Sequence, residues 1–430
     1  MAEVQAFQAL RYDVGQVGDL SDVVAPPYDV IDSAFQNELY EAHPCNCVRV
    51  DLNREEPGDT GVEDRYARAA KFMKQWQQDG VLIREHEDSL YVYHQEFEWE
   101  GTKYVRKGFL GRLKLEEFGK GNVFPHEQTM PGPKKDRLAL MYACQANLSA
   151  IFGLYPDREN EAQNILEDAA LSVTPLVATD HLGVVHRLWP ISDQAAISKV
   201  QSILADKPIF IADGHHRYET SCNYKNELAE AGKLDETSAA NYTLMMFCGM
   251  EDPGLAILPT HRLVSGFPEL SSNDIKAALG DHFSIEEVES AEAAWEAMEM
   301  DGGQEVFGIG TPSDGKWLLL RATDTSPMKE LAPEQSDVWR GLGVSILHRQ
   351  IVDHLLKGKH PEADPKFKFV HLMDEVHTGM NEKTCQLAIL VMPAQIEHVQ
   401  AISEELERMP PKSTFFYPKL LSGLVFNPLS

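Results

Sequence analysis

No stretch of this chain approaches the roughly 20 consecutive apolar residues needed to span a bilayer, so no membrane-crossing helix is expected. The start of the chain has no basic region followed by an apolar core, so no signal peptide is expected. Basic charge is also scarce: 39 Lys and Arg stand against 67 Asp and Glu, a formal net charge of -28. Such a balance disfavours non-specific binding to nucleic acid or anionic membrane, although a local basic pocket remains compatible with it. Cysteine is sparse, and Cys45, Cys47, Cys144, Cys222, Cys248 and Cys385 form no C-x-x-C pair, which removes zinc knuckles and thioredoxin-type motifs. Scattered thiols in a long chain point to a reducing cytoplasm. Neither a Walker A pattern nor a kinase glycine-rich loop occurs, so no ATP site of either kind can be read. The chain has no internal repeat and no low-complexity segment.

What is present is an ordinary globular composition, 43% hydrophobic and 25% charged over 430 residues, enough for two or three domains with full cores. The chain is organised around Pro208 to Thr220. An apolar run ending at Ala212 reads as a buried strand, Asp213-Gly214 as a tight turn, and His215-His216-Arg217 as the start of a helix to about Ala231. A carboxylate, two imidazoles and a guanidinium therefore meet where helix amides lack internal partners, a corner suited to an anion and a hydroxyl together.

Three further stretches carry unusual chemistry. Ser21 to Ile31 contains Pro26-Pro27, which forbid helix and stiffen a loop; the loop either presents Tyr28 and Asp29 or packs Tyr28 inward. Val123 to Arg137 is rich in proline and glycine and reads as a loop bearing His126, Glu127, Lys134, Lys135 and Arg137, with a helix expected from Arg137 to Asn147. His126-Glu127 is not the HExxH zinc motif, because position 130 is Met130; the cations suit phosphate oxygens. Met409 to Phe426 sets Lys412, Ser413, Thr414 and Lys419 among aromatic residues. A fourth segment, Leu258 to Arg262, ends in His261-Arg262, where the pattern leaves open a surface pair or a site.

The remaining periodicities give a helix from Asp64 to Asp79, a strand over Cys47 to Leu52, an antiparallel meander of three strands over 89–115, and alternating short helices and strands beyond Gly266. The expected architecture is α+β or α/β, with mixed sheets and flanking helices. It divides into an N-terminal α+β domain, 1–265, and a C-terminal α/β domain, 266–430, whose last segment returns to the corner.

Asp22 to Val30, Ala212 to Thr220 and Met409 to Lys419 together resemble the family filed as domain of unknown function 1015, nearly from end to end. The Asp-Gly-His-His-Arg corner is also similar to the signature of the ParB/sulfiredoxin-like superfamily, which includes free-serine kinases and implies a ParB/sulfiredoxin-like core. Sulfiredoxin-type chemistry needs a cysteine where His215 and His216 stand, and ParB-type DNA clamping needs a basic recognition helix that is not found. The resemblance then implies a small-molecule phosphotransferase, a kinase acting on free L-serine with pyrophosphate or a nucleotide as donor. A nucleotide-binding regulatory protein without catalysis is the alternative. In the kinase reading Asp213, His215 and His216 are catalytic. Arg217, His126, Lys134, Lys135, Arg137, Lys412, Ser413, Thr414, Lys419 and Tyr28 hold phosphate or substrate. Asp29 and Glu127 take Mg2+, since hard cations prefer carboxylate oxygens. The expected partners are the small-molecule substrate and the phosphoryl donor, with neither nucleic acid nor membrane.

Overall fold

The computed structural model describes residues 2–127, 129, 131–324 and 326–429. The fold is α+β, with two compact units: residues 1–125, 129–256 and 418–430 form the first, and residues 126–128 and 257–417 the second. The chain thus changes unit between Ala256 and Ile257, earlier than the expected 265/266, and Lys419 belongs to the first unit while Lys412 belongs to the second.

The first unit is built on a nine-stranded mixed sheet. Its spatial order is Val123–Pro125, Ile209–Asp213, Ile151–Tyr155, Tyr242–Gly249, Thr102–Lys114, Leu90–Trp99, Val185–Ile191 and Leu176–Thr179, with Val4–Gln5 also paired to Thr102–Lys114. The central strands are apolar on both faces because helices and loops cover both, which explains their continuous rather than alternating hydrophobic runs. Ile209, Phe210 and Ile211 are fully buried; Ile209 and Ile211 pack with Val123, Ile151, Met245 and Phe247, while Phe210 points to the other face beside the Phe124 ring. Residues 89–115 form two strands rather than three, because Thr102–Lys114 continues unbroken through Gly111. The helix Glu63–Gln78 buries Tyr66, Ala69, Met73 and Trp76 along one face, as its spacing requires.

Two local expectations fail for identifiable reasons. Val48–Asp51 is one turn of helix, not a strand; four residues of apolar–polar alternation cannot distinguish the two. The helix expected from Arg137 starts six residues earlier, as Pro131–Cys144, so Lys134 and Lys135 lie on it and not in a loop. Pro131 and Pro133 occupy its first turn, where a missing amide hydrogen leaves no bond unmade. Gln128 and Met130 of that segment lie outside the described residues.

The second unit has a six-stranded antiparallel sheet in the order Phe283–Val288, Lys316–Ala322, Val306–Thr311, Leu387–Val391, His261–Ser265, Lys366–Val370. Its helices and strands alternate along the chain as the sequence indicates. His261 and Arg262 are neither a surface pair nor an open site. They are 2% and 1% exposed, with Arg262 donating to the Lys412 carbonyl at 2.9 Å and to the Thr260 carbonyl. Burial pushes the His261 imidazole down to about 3, and that of His348 likewise to about 3, each helped by the Arg262 charge. Below the ordinary value of 6.5 the unfolded chain takes up protons that the folded unit refuses, so stability is present above 6.5 and is lost as pH falls towards 3. Urea titrations between pH 6.5 and about 4.5, above the carboxylate range, should show second-unit stability falling with acid. His261→Gln should flatten that slope; an unchanged slope would remove His261 from it.

Candidate functional site

The strand Ile209–Asp213 pairs with Ile151–Tyr155 in a register that slips by one residue between Ile211 and Asp213. Such a bulge re-aims the side chain beside it, and here it falls at Asp213. Gly214 then turns the chain directly into the helix His215–Glu230 with φ 92°. A Cβ on Gly214 would lie 2.9 Å from Nε of Arg217 and 3.1 Å from its Cζ, so glycine is required both for the left-handed backbone and for the approach of the guanidinium. Gly214→Ala should therefore destabilise the first unit by about 1–3 kcal/mol and displace Arg217, measurable as a lowered urea midpoint. An unshifted midpoint would show that the corner relaxes freely.

Both oxygens of Asp213 hold cations. Arg217 donates to Oδ2 at 2.7 Å, and Lys419 Nζ, arriving from the end of the chain, donates to Oδ1 at 3.0 Å. Arg217 also donates to the Ala150 carbonyl, and the Lys419 carbonyl accepts from Gln95 at 2.9 Å. The Arg217 guanidinium is therefore fixed by a second contact, whereas for Lys419 it is the backbone that is anchored. His216 is half-buried at the helix start, whereas His215 is 2% exposed.

A second ion pair lies beside the first. Arg137 donates to Asp51 Oδ1 at 3.2 Å and to its carbonyl at 2.6 Å, and to Asp136 Oδ2 at 2.6 Å. Its guanidinium sits 4.1 Å over the Tyr28 ring, so Tyr28 faces inward, while Asp29 is exposed. Ser422 donates to the other Asp51 oxygen at 3.0 Å. Burial pushes the Asp51 carboxyl above its ordinary value, opposed by Arg137 and by the Ser422 hydrogen bond. Asp51, Arg137, Arg217, Thr220 and Ser221 line a cavity of about 40 Å3, room for a few water molecules and no more. Lys134 is held by Glu219 at 2.6 Å, with Thr129 donating to the same oxygen at 2.7 Å; Lys135 is exposed.

Asp51, Glu219 and Ser422 escaped sequence reasoning. Glu219 stands within the corner motif and Ser422 within the terminal one, but a partner far along the chain leaves no local trace.

The other motif residues gather in the second unit. His126 is buried and its Nε2 shares a 2.9 Å hydrogen bond with the Thr414 hydroxyl; Ser413, also buried, donates to the Pro410 carbonyl at 2.6 Å. Glu127 accepts from the Lys412 amide at 3.2 Å. Lys412 is exposed with φ 58°. Asp29 and Glu127 therefore fall in different units, and among the described residues no three His, Cys, Asp or Glu side chains gather as a metal-binding group. With both Asp213 oxygens engaged by cations, the donor set does not make a protein-built magnesium site.

Solved structures resembling the chain include a conserved hypothetical protein from Pyrococcus furiosus, 12% identical over 71% of this chain and 91% of that one, TM-score 0.35. Two others are a free serine kinase in complex with AMP, 11% identical over 69% and 83%, TM-score 0.33, and SbnI with C-terminal truncation from Staphylococcus aureus, 11% identical over 72% and 84%, TM-score 0.32. Likenesses at this level carry no functional argument. No curated protein matches the chain. A family model does, over residues 4–345, which include the Asp213 corner and the Pro26-Pro27 segment, and by that match the chain belongs to the family described as Protein of unknown function (DUF1015).

Proposed function

We propose that the chain is a small-molecule phosphotransferase that moves a phosphoryl group to the hydroxyl of free L-serine, with pyrophosphate or a nucleotide as donor. The observation that carries this reading is the Asp213 carboxylate gripped by Arg217 and Lys419 at a strand-to-helix corner. Phosphoryl transfer asks chiefly for positioned cations and an oriented acceptor. A guanidinium and an ammonium held by one carboxylate are such a set, already neutralised until a donor arrives. In the reaction the serine hydroxyl oxygen attacks the terminal phosphorus as the bridging P–O bond breaks. The electron pair leaves on the departing phosphate, steadied by Lys419 and Arg217, with His216 at the donor. Lys419 transfers from Asp213 to the donor's oxygens, and the freed Oδ1 takes the hydroxyl proton. Lys134 and Arg137, engaged by Glu219 and Asp51, serve as framework in this scheme rather than as donor ligands. The lack of a Walker A pattern fits a small donor such as pyrophosphate.

The saturation of both Asp213 oxygens also favours a second reading, a ParB-like nucleotide-binding regulatory protein with no base to spare. Incubation with L-serine, magnesium and each of pyrophosphate, ADP and ATP, followed by phosphorus NMR, separates the two. Phosphoserine with any donor carries the first. Saturable nucleotide binding without phosphoserine carries the second, and neither result removes both.

A further inference from the structure

The second unit contains a cavity of about 200 Å3, five times that beside Arg217. Cavities of comparable size accept a small organic molecule. One wall is Met409-Pro410-Pro411, the part of the terminal motif that the first unit's site leaves unused. His348, Arg349 and Asp353 of the segment Ile346–Leu356, which is a π-helix over its whole length, also line the cavity. Runs of this kind are rare and concentrate at functional sites. Arg349 and Asp353 both project from it into the cavity wall, and Arg408 joins them beside Met409.

Arg349 and Asp353 are four residues apart, a spacing at which α-helical neighbours pair. Here they form no ion pair among the described residues; burial raises the Asp353 carboxyl, and the Arg349 charge opposes that rise. Arg408 is steadied through its contact with the Glu407 carbonyl at 3.3 Å, and Trp339 through its indole N–H, which donates to the Arg408 carbonyl at 2.7 Å. Two more wall residues hold buried polar atoms with no hydrogen-bond partner, Gln335 Oε1 and His348 Nε2. Orphan groups of this sort are few in native proteins and each asks for a partner. His348 stays neutral at ordinary pH, so it acts as a hydrogen-bonding group and adds no charge.

Two guanidiniums recognise an oxyanion, phosphate or carboxylate, by paired N–H groups. A carboxylate facing the same space recognises an ammonium group. We propose that this cavity binds a small zwitterion of the amino-acid class, its oxyanion on Arg349 and Arg408 and its ammonium on Asp353. The site is separate from the Asp213 corner, and the assignment holds whether or not the first unit transfers phosphate.

The test is calorimetric titration of the full chain with O-phospho-L-serine, L-serine and inorganic phosphate. It is run in a Lys419→Ala, Arg217→Ala background so that the first unit's corner contributes no binding. Arg349→Gln should weaken whichever oxyanion binds by about 10-fold or more, the expected loss of one charged hydrogen bond. Asp353→Asn should weaken the amino acids to a similar degree and leave inorganic phosphate untouched. Both positions are exposed, and an unchanged thermal melt confirms folding. Phosphoserine tighter than serine assigns the oxyanion to phosphate; the reverse assigns it to carboxylate. No heat with any probe at millimolar concentration, or affinities indifferent to Arg349→Gln, overturns the site. Amino-acid binding that ignores Asp353→Asn overturns the zwitterion.

Discussion

Arg137→Ala is expected to destabilise the first unit by about 3–5 kcal/mol, because it strands a buried carboxylate. Asp51 is 4% exposed and Arg137 9%, and Arg137 forms the direct ion pair with Asp51 at 3.2 Å, with the Arg217 charge a weaker, more distant help. The variant also loses the contact over Tyr28 and the hydrogen bond to the Asp51 carbonyl. Burial already pushes the Asp51 carboxyl up, and without Arg137 it rises further. The sign follows from linkage: a raised folded value means that the folded state holds the proton more tightly than the unfolded chain. The deficit is therefore full at neutral pH and shrinks as pH falls through the raised Asp51 value towards the ordinary 3.8. Asp51→Asn in the same background should restore much of the loss at pH 7, since no charge is then stranded. Urea melts of the single and double variants at two pH values check this. A deficit that is independent of pH and not relieved by Asp51→Asn would mean that Arg137 acts by packing alone.

The Asp51–Arg137 pair also marks where sequence reading stops. The strand Ile209–Asp213 and the helix after it were legible because four apolar residues, an Asp-Gly turn and a polar helix start agree with one another. The alternation in the second unit was legible for the same reason. Asp51 was misplaced because Val48-Arg49-Val50-Asp51 alternates like a strand, and a single helical turn is too short to show its own period. The helix bearing Arg137 starts before the sequence pattern shows it, because prolines suit a loop but are equally tolerated in a helix's first turn. His261 and Arg262 read as a polar strand end; tertiary packing buries them instead, with Arg262 held near 9 by desolvation alone. Long-range pairing was the least legible feature. Lys419 meets Asp213 across 206 positions of sequence, and no local pattern specifies that contact. Motif reading named both residues, but it also grouped Lys412 with them, which belongs to the other unit.

Asp213→Asn separates the two roles open to that carboxylate. The substitution preserves shape and removes the charge that holds Arg217 at 2.7 Å and Lys419 at 3.0 Å. If Oδ1 takes the serine proton, turnover should fall by roughly 100-fold or more, the usual contribution of a positioned base, while the donor KM changes little. If Asp213 serves only to position the two cations, the amide still accepts one hydrogen bond, kcat falls modestly and the donor KM rises. Lys419→Met is the control, because its ammonium contributes to donor binding under either role and its loss should raise the donor KM. The pair is informative only in combination. A kcat loss in Asp213→Asn together with a KM change in Lys419→Met assigns base and anchor to separate groups. The same KM defect in both variants makes the clamp a single binding unit, with proton removal left to solvent. An Asp213→Asn variant that turns over at the wild-type rate with an unchanged donor KM would remove the corner from the reaction altogether. The strand, the bulge and Gly214 would then hold an ion pair that serves the fold.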